Sequence, residues 1–327
     1  MSSVWRIVAL SVLACYVGSG ESLAENGAEK AEKRSFEFTY RVKLTDIPND
    51  AKRIQAWLPI PQTAPGQVVS GIAIEGPGAM RIVSEPKYGN QFLRFEIAPD
   101  VPEPEILARY TITRFARAEL HGESANEDVT SIAPHYLTRS RFIALDGPVE
   151  KEARSVAGDA TDPLEVARKL YDNIVSTVRY DKSGEGWGRG DSLYACDARA
   201  GNCTDFHSLF IGEARALGLP ARFIMGFPVP NDAPEGVIGG YHCWAEFYTP
   251  DHGWVPLDAS EAHKHPERRA ALFGGLDANR VRFTLGRDIR LPETDGAPLN
   301  YAVYPYVLVD GQAHASMETE YRYKNLD

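Results

Sequence analysis

The sequence predicts an α+β protein in which a small β-sandwich precedes a domain that packs a helix on an antiparallel sheet. The first observation is a strict alternation of apolar residues over 36–44, the period of a half-buried strand. The second is a helical recurrence of apolar residues over 166–178. The third is a pair of strand-like runs around a turn within 241–260, which predicts an antiparallel hairpin.

The composition is that of an ordinary globular protein. Of the 327 residues, 43% are hydrophobic and 24% are charged, which excludes disordered and fibrous classes. The formal net charge of -10 argues against a nucleic-acid partner, because neutralising phosphates requires a surplus of Lys and Arg. No sequence motif calls for a cofactor.

The N-terminus, 1–24, reads as a signal peptide for export. Arg6 supplies positive charge, 7–17 form an apolar run, and 22–24 offer small residues at a cleavage site. The run of about 11 residues is too short to span a bilayer, which needs about 20. In an alternative reading Cys15 is acylated after lipoprotein processing, which would be the only link to a membrane. Both readings predict a periplasmic or extracellular protein.

The rest of the chain divides into five parts. Residues 25–34 alternate acid, base and alanine, which indicates a linker. Branched and aromatic runs separated by turn residues predict the β-sandwich domain over 35–118. Small and acidic residues without an apolar period predict a second linker at 119–135. We expect the helix-containing core over 136–262 and, over 263–327, further strands that pack on that core.

Helix signals and a glycine-rich loop organise the predicted core. Asp162 can cap a helix whose first turn holds Pro163 and Glu165. The glycine-rich loop 183–190 lacks the Gly-Lys-Ser/Thr ending of a phosphate-binding loop, so we expect it to border the site. A second helix is expected to begin at Cys203, because the apolar residues after it share one face.

Cys203, His242 and Asp258 can form a thiol–imidazole–carboxylate relay. A helix N-terminus carries a partial positive charge that stabilises a thiolate, and the backbone N–H of Cys203 can donate to an oxyanion. The turn-like segment 249–253 is centred near Pro250, halfway between His242 and Asp258. This count predicts that the two are direct cross-strand neighbours, which leaves the second imidazole nitrogen to face Cys203.

Weaker candidates surround this relay. As residues that could line the cleft or bind the substrate we single out Trp187, Tyr180, Asp205 and His207. Trp187 is a candidate for the second oxyanion donor, and His207 is a candidate for a supporting role behind the three relay residues. Metal binding by Cys203 with His207, or by His263 with His265, lacks further ligands at known spacings, so we expect no metal.

Cleavage after residue 24 would leave three cysteines, Cys196, Cys203 and Cys243. An odd number in an oxidising compartment leaves at least one thiol unpaired. Strand alternation places Cys243 on the face opposite His242, as a small buried residue. A bridge between Cys196 and Cys203 that silences the nucleophile reversibly is an alternative.

Four motifs resemble the core of the transglutaminase-like superfamily. They are Gly-Asn-Cys-Thr-Asp-Phe at 201–206, Arg-Ala-Leu-Gly-Leu-Pro-Ala-Arg at 215–222, Tyr-His-Cys-Trp-Ala-Glu at 241–246 and Gly-Trp-Val-Pro-Leu-Asp at 253–258. The resemblance covers 136–260, and the β-rich region before it resembles the N-terminal domain of bacterial members. It implies a papain-like fold in which a helix carries the nucleophile Cys203, and an antiparallel sheet carries the acid/base His242 and the orienting Asp258.

The resemblance leaves the reaction open, since members include cross-linking acyltransferases, peptidases, other amidases and inactive scaffolds. We expect attack on a carboxamide or peptide bond of a protein or peptide substrate through a thioester. Hydrolysis is favoured over amine transfer because the exported chain has nothing that resembles a calcium-binding loop. The rival hypothesis is a non-catalytic module that binds an envelope component or a protein. The oligomeric state is left open.

Overall fold

The computed structural model describes residues 8–10, 32–117 and 134–326, with only the backbone at 8–10. The predicted signal peptide and Cys15 lie outside these residues, apart from a strand at Val8–Leu10. Most of both predicted linkers also lies outside. The first linker ends earlier than predicted, because Lys33 and Arg34 already belong to a strand and Arg34 Nη1 donates to the carbonyl of Val229 at 2.9 Å.

Strands dominate both ends of the described chain. The strands of the first part are β1 (Val8–Leu10), β2 (Lys33–Leu44), β3 (Ile54–Pro59), β4 (Gln67–Glu75), β5 (Ala79–Ser84), β6 (Gln91–Ile97) and β7 (Glu105–Phe115). Those of the second part are β8 (Arg179–Tyr180), β9 (Ala200–Gly201), β10 (Ala221–Pro228), β11 (Glu235–Val237), β12 (His242–Thr249), β13 (Gly253–Leu257), β14 (Arg280–Leu285), β15 (Tyr306–Val309), β16 (Gln312–Ala313) and β17 (Met317–Asn325).

Five α-helices and two short 3-10 turns lie within the second part. The helices are α1 (Pro148–Ala157), α2 (Pro163–Thr177), α3 (Ser192–Ala198), α4 (Cys203–Ala216) and α5 (Ala259–Lys264), and the 3-10 turns are Pro134–Tyr136 and Pro266–Arg268. The predicted cap of α2 is confirmed, because Asp162 accepts the N–H of Glu165 at 2.8 Å. Across the described part of the chain, no helix combines the length and the apolar character that a membrane crossing requires.

The N-terminal strands form two antiparallel sheets, ordered β1-β4-β7-β2-β17-β11 and β16-β15-β3-β6-β5. The alternation predicted for β2 is confirmed, because every second residue from Phe36 to Leu44 is fully buried. Aromatic contacts join the larger sheet to the following part of the chain. The ring of Phe38 lies 5.3 Å from that of Phe227 and 5.2 Å from that of Phe283.

The C-terminal strands differ from the prediction that 263–327 packs on the core. Only β14 joins the sheet of the second part, whereas β15 pairs with β3 and β17 pairs with β2. The C-terminus thus completes both N-terminal sheets. The physical reason is that, without the C-terminal strands, β2 and β3 would each have one edge whose backbone N–H and C=O groups are unpaired. Any strand whose apolar face matches that of the sheet can pair with such an edge.

The second part is an antiparallel sheet, β13-β12-β10-β14, with α4 packed against β12 and β10. Helices α1, α2, α3 and α5 surround α4, so that all its residues except the last are buried. This is the arrangement of a central helix on an antiparallel sheet that was predicted, and the α+β class is confirmed.

Candidate active site

Cys203 is the first residue of α4, and the residues before it fix its position. Asn202 caps the helix by accepting the N–H of Thr204 at 2.9 Å, and Asp205 accepts the N–H of Asn202 at 2.9 Å. Gly201 has φ 154°, and a Cβ there would lie 2.5 Å from the side chain of Asp205. Only glycine fits this close approach, which explains the residue type two positions before the thiol.

His242 begins β12 and contacts both other members of the relay. Its Nε2 lies 2.7 Å from Asp258 Oδ2, and its side chain is hydrogen-bonded to that of Cys203. Because Asp258 occupies Nε2, the nitrogen available to Cys203 is Nδ1. Burial opposes a charge on this ring, but the carboxylate of Asp258 and the thiolate of Cys203 outweigh it and raise the pKa of His242 to about 10.

The hairpin register differs from the predicted one by two residues. Ala245 pairs with Leu257 and Thr249 with Gly253, so the turn is centred on Asp251 rather than Pro250. His242 and Asp258 are therefore diagonal and not direct neighbours. A shift by an even number of residues keeps both side chains on the same face, which is why the hydrogen bond still forms.

Asp258 is fully buried and its two oxygens have several partners. Oδ2 accepts from Arg280 Nη1 at 2.9 Å in addition to His242, and Oδ1 accepts the Ser260 hydroxyl at 3.1 Å and the Glu261 N–H at 3.0 Å. Burial works against ionisation, but the charges of His242 and Arg280 and these hydrogen bonds hold the pKa of Asp258 well below its usual range. The carboxylate is a fixed negative charge.

The thiol of Cys203 is 3% exposed, and its pKa lies well below that of an ordinary cysteine. The largest contribution is a hydrogen bond from the thiol of Cys243, which outweighs the cost of burial. The hydrogen bond and the positive charge of His242 lower the pKa further. These contacts favour a thiolate on Cys203 next to a charged imidazole on His242.

His207 lies behind the relay and reaches Cys203 through Cys243. His207, one turn after Cys203 on α4, has its Nε2 3.5 Å from Asp258 Oδ1 and accepts the Ala259 N–H there at 3.1 Å. Its hydrogen is therefore on Nδ1, which lies 3.5 Å from Cys243 Sγ. His207 can thus donate to Cys243, whose own S–H is directed to Cys203. A supporting role for His207 stays a prediction, and these are the contacts through which it would act.

The remaining cleft candidates have different surroundings. Tyr180 pairs with Gly201 in the short β8–β9 ladder and lies beside the site, with Lys264 Nζ 4.6 Å from its ring. The carboxylate of Asp205 is occupied by backbone hydrogen bonds. It accepts the N–H groups of Gly188 at 2.7 Å and Gly190 at 3.0 Å, in addition to that of Asn202. It holds the glycine-rich loop to α4, so it braces the loop and does not offer a group to a substrate.

Trp187 is half-buried on the loop that Asp205 holds, directly before Gly188. Two tyrosines also contact this region. The hydroxyl of Tyr241 accepts from Asn202 Nδ2 at 2.9 Å, and that of Tyr301 donates to the Gly188 carbonyl at 3.4 Å. The backbone N–H of Cys203 has no acceptor within its helix, as expected for the first helical residue. It remains the predicted oxyanion donor.

Cys196 lies apart from the relay. Its Sγ donates to Glu152 Oε2 at 3.2 Å, and burial together with this contact raises its pKa to about 12. All three described cysteines are free thiols, so the bridge from Cys196 to Cys203 is not formed. Over the described ranges, no group of three or more His, Cys, Asp or Glu could hold a metal ion.

Sequence reasoning missed two contributors. Arg280 lies 22 residues after Asp258 with no motif around it, and only the pairing of β14 with β10 brings it to the site. Cys243 was predicted to be a small buried residue, and it is buried, but it also contacts the nucleophile. The available signal was its position directly after His242. At the start of β12, beside the N-terminus of α4, two consecutive residues can both contact the thiol of Cys203.

The chain is similar to several known proteins. Residues 150–259 match the family model of the transglutaminase-like superfamily. An uncharacterized protein of Haemophilus influenzae is 27% identical over 360 aligned positions, which cover 97% of this chain and 98% of that protein. The uncharacterized protein YebA of Bacillus subtilis is 21% identical over 188 positions, covering 52% of this chain and 26% of YebA.

A solved structure shares the fold over nearly the whole length. A candidate cysteine protease from Cytophaga hutchinsonii aligns with a TM-score of 0.60 and 20% identity, and the alignment covers 91% of this chain and 92% of that one. Residues 150–259, which carry Cys203, His242 and Asp258, are therefore the transglutaminase-like part of the chain.

Proposed function

We propose that this protein is a cysteine-dependent acyl-transfer enzyme that cleaves a carboxamide or peptide bond through a thioester on Cys203. The observation that carries the proposal is the hydrogen-bonded relay: the side chain of His242 contacts that of Cys203, and its Nε2 is held 2.7 Å from the buried carboxylate of Asp258. A thiolate that exists below the ordinary thiol pKa is a strong nucleophile, and a charged imidazole beside it is a proton donor.

In the first half of the reaction, Sγ of Cys203 attacks the carbonyl carbon of the amide and the carbonyl electrons move onto oxygen. The N–H of Cys203, at the positive end of α4, stabilises this oxyanion. When the C=O bond re-forms, the C–N bond breaks. His242 gives its Nδ1 proton to the departing amine, which leaves a thioester and a neutral imidazole.

In the second half, water attacks the thioester while the neutral His242 takes one of its protons. The C–S bond breaks, the carboxylic acid leaves, and the thiolate–imidazolium pair is restored. Asp258 keeps one tautomer and one ring orientation of His242 throughout both steps. A primary amine could replace water at this stage, and hydrolysis is the outcome we propose, with a protein or peptide as the substrate.

The N-terminal sequence supports an exported location for this reaction. The charged, apolar and small-residue regions of 1–24 are those of a signal peptide, and the same segment offers Cys15 as an alternative lipid anchor. We therefore propose that the enzyme acts in the periplasm or outside the cell, on substrates of that compartment.

A peptide library incubated with and without a primary amine tests the proposal by mass spectrometry. Cleavage with addition of water supports hydrolysis, whereas loss of ammonia with gain of the amine means transfer. C203A should abolish either reaction, and C196A, at the thiol bonded to Glu152, is the matched control that should leave it unchanged.

Alkylation separates this proposal from a non-catalytic binding module. Iodoacetamide at mildly acidic pH should label Cys203 in preference to Cys196 and Cys243, since only Cys203 has a lowered pKa. Equal, slow labelling of all three thiols would remove the basis for catalysis and favour the binding module.

A further inference from the structure

A cavity of about 630 Å³ lies next to the candidate active site and takes no part in the relay. One wall is the segment 237–240, which leads from β11 directly to Tyr241 and His242. The other walls are 304–307, 313–315 and residues 317 and 319–321 of β17. Its volume is within the usual range of ligand pockets, about 300–1,000 Å³.

Two aromatic rings connect this cavity with the nucleophile. Tyr304 lines the cavity and its ring centroid lies 5.9 Å from that of Tyr241. The hydroxyl of Tyr241 accepts from Asn202 Nδ2 at 2.9 Å, and Asn202 directly precedes Cys203. A peptide lying across these rings would reach the thiol within two or three residues, at about 3.3 Å per residue.

The lining is mainly apolar, and its two ionisable side chains other than tyrosine, His314 and Glu320, already have partners. Valine, isoleucine, proline, alanine, methionine and tyrosine side chains make up most of the wall. The His314 Nε2 donates to the Thr45 carbonyl at 2.8 Å, and Glu320 pairs with Arg322 at 3.0 Å. Two large side chains at the rim are exposed without a ligand, with Tyr304 at 40% and Val237 at 56%.

We propose that this cavity binds an apolar segment of the peptide substrate and thereby selects what reaches Cys203. The identification of the ligand as a peptide rests on the proposed function. Burial of a single Leu or Phe side chain raises affinity by about tenfold or more, so two such residues account for most of the discrimination between peptides. An ionised side chain would lose water without gaining a free partner in this lining.

The test measures binding to full-length C203A, so that no turnover occurs. The probe is a fluorescein-labelled hexapeptide with a central Gln-Gly flanked on both sides by Phe-Leu. The matched probe carries Ser-Ser in place of each Phe-Leu. Fluorescence anisotropy gives both dissociation constants, and the Phe-Leu probe is expected to bind at least about tenfold more tightly.

Two exposed alanines provide a matched pair of variants in the same C203A background. Ala313 lies in β16 and lines the cavity, whereas Ala79 lies in β5, at the opposite edge of the same five-stranded sheet. A313W should fill the cavity and weaken the Phe-Leu probe at least tenfold, and A79W should leave it within twofold. A315W, also at an exposed lining position, is the second variant if A313W folds poorly.

Equal affinity for the two probes, or unchanged affinity in both A313W and A315W, overturns the cavity proposal. That outcome is independent of catalysis, which is read from alkylation of Cys203 and cleavage by the unmodified protein. Selective binding by a protein whose Cys203 is unreactive would instead overturn the proposed function and keep the cavity as a binding site. Selective binding that A313W removes, with a reactive Cys203, supports both.

Discussion

Arg280 donates from Nη1 to Oδ2 of Asp258 at 2.9 Å, and both side chains are almost completely buried. The guanidinium also pairs with Asp277, with its Nε 3.3 Å from Oδ1 of that residue, and lies 5.2 Å from the ring of Trp244. One buried cation therefore contacts two carboxylates, one of which is hydrogen-bonded to His242. The positive charge keeps Asp258 ionised even though burial opposes it.

Replacement of Arg280 by Met should lower the free energy of unfolding by about 3–5 kcal/mol, because it leaves the buried carboxylate of Asp258 without its guanidinium partner. R280K keeps the positive charge but cannot contact both Asp258 and Asp277 with the geometry of a guanidinium, so it should lose less stability than R280M. Urea denaturation of the wild type and both variants measures this. A stability of R280M equal to that of the wild type would mean that Asp258 and Asp277 are held by their other partners alone.

The pH dependence of the thiol should be broad. Since the pKa of Cys203 is lowered and that of His242 is raised to about 10, the ion pair persists from mildly acidic to alkaline pH. The alkylation rate of Cys203 should therefore be nearly constant across neutral pH. Activity should decline above pH about 10, where the imidazolium that protonates the leaving amine is lost.

H242N should move the inflection of the alkylation profile toward an ordinary thiol pKa of about 8.5 and lower the rate at pH 6 by about tenfold or more. The rate is measured by mass spectrometry of the peptide that contains Cys203. Cys196, whose pKa is raised to about 12, is the internal control and should stay unlabelled in both proteins. An unchanged profile in H242N would show that the histidine does not set the charge of the thiol.

Cys243 should act on Cys203 through its hydrogen bond. Burial raises the pKa of Cys243 well above its usual value, so it stays protonated and can donate to the thiolate. C243A removes the donor and should shift the alkylation profile of Cys203 to higher pH, whereas C243S retains an O–H donor and should shift it less. Thermal melting of both variants controls for packing, and equal profiles for C243A and C243S would contradict the role of the hydrogen bond.

Local patterns predicted the parts of this molecule whose cause is local. The alternation in β2, the Asp162 cap of α2 and the start of α4 at Cys203 each depend on a few adjacent residues. The common face of His242 and Asp258 also followed from counting, because an error of two residues does not change the face of a strand.

The pairing of strands that are distant in the sequence could not be predicted in the same way. The sequence of β17 alternates like any half-buried strand, and nothing in it specifies β2 as its partner. Arg280 reaches Asp258 only because β14 pairs with β10 across the sheet. Arginines are usually exposed, so a single buried one inside a strand gives no signal before the strand order is known. Partner choice between edges depends on the whole packing and not on a local motif.

Asp205 makes the glycine-rich loop part of the site. Oδ2 accepts the N–H groups of Gly188 and Asn202, and Oδ1 accepts that of Gly190 at 3.0 Å. D205N places an amide NH₂ against at least one of these donors, which should cost about 1–3 kcal/mol. We expect faster hydrogen exchange in 186–190 and a lower kcat, because the loop then no longer holds its place beside Cys203.

Asp181 supplies the control for this prediction, since it accepts the N–H of Ser183 at 2.8 Å at the exposed start of the same loop. D181N should leave exchange at Gly188 and Gly190 unchanged. If D205N and D181N show the same exchange pattern, the carboxylate of Asp205 does not brace the loop.

Glu213 on α4 should make stability depend on pH. It is fully buried, and neither carboxylate oxygen has a hydrogen-bond partner among the described residues. Burial, and next the negative charge of Glu152, raise its pKa well above the usual value, so the folded protein holds it neutral. The unfolded chain ionises it above a pKa of about 4.3. Its contribution to stability is therefore complete below that pH and is lost as the pH rises toward the folded-state pKa.

E213Q is neutral at every pH and nearly the same shape, so it isolates this charge. We expect E213Q and the wild type to be equally stable near pH 4, and the variant to be more stable at pH 8 by about 1–3 kcal/mol. Urea denaturation at both pH values measures the difference, with E235Q at an exposed position of β11 as the control. An equal gain at pH 4 and pH 8 would mean that packing and not the titration of Glu213 separates the two proteins.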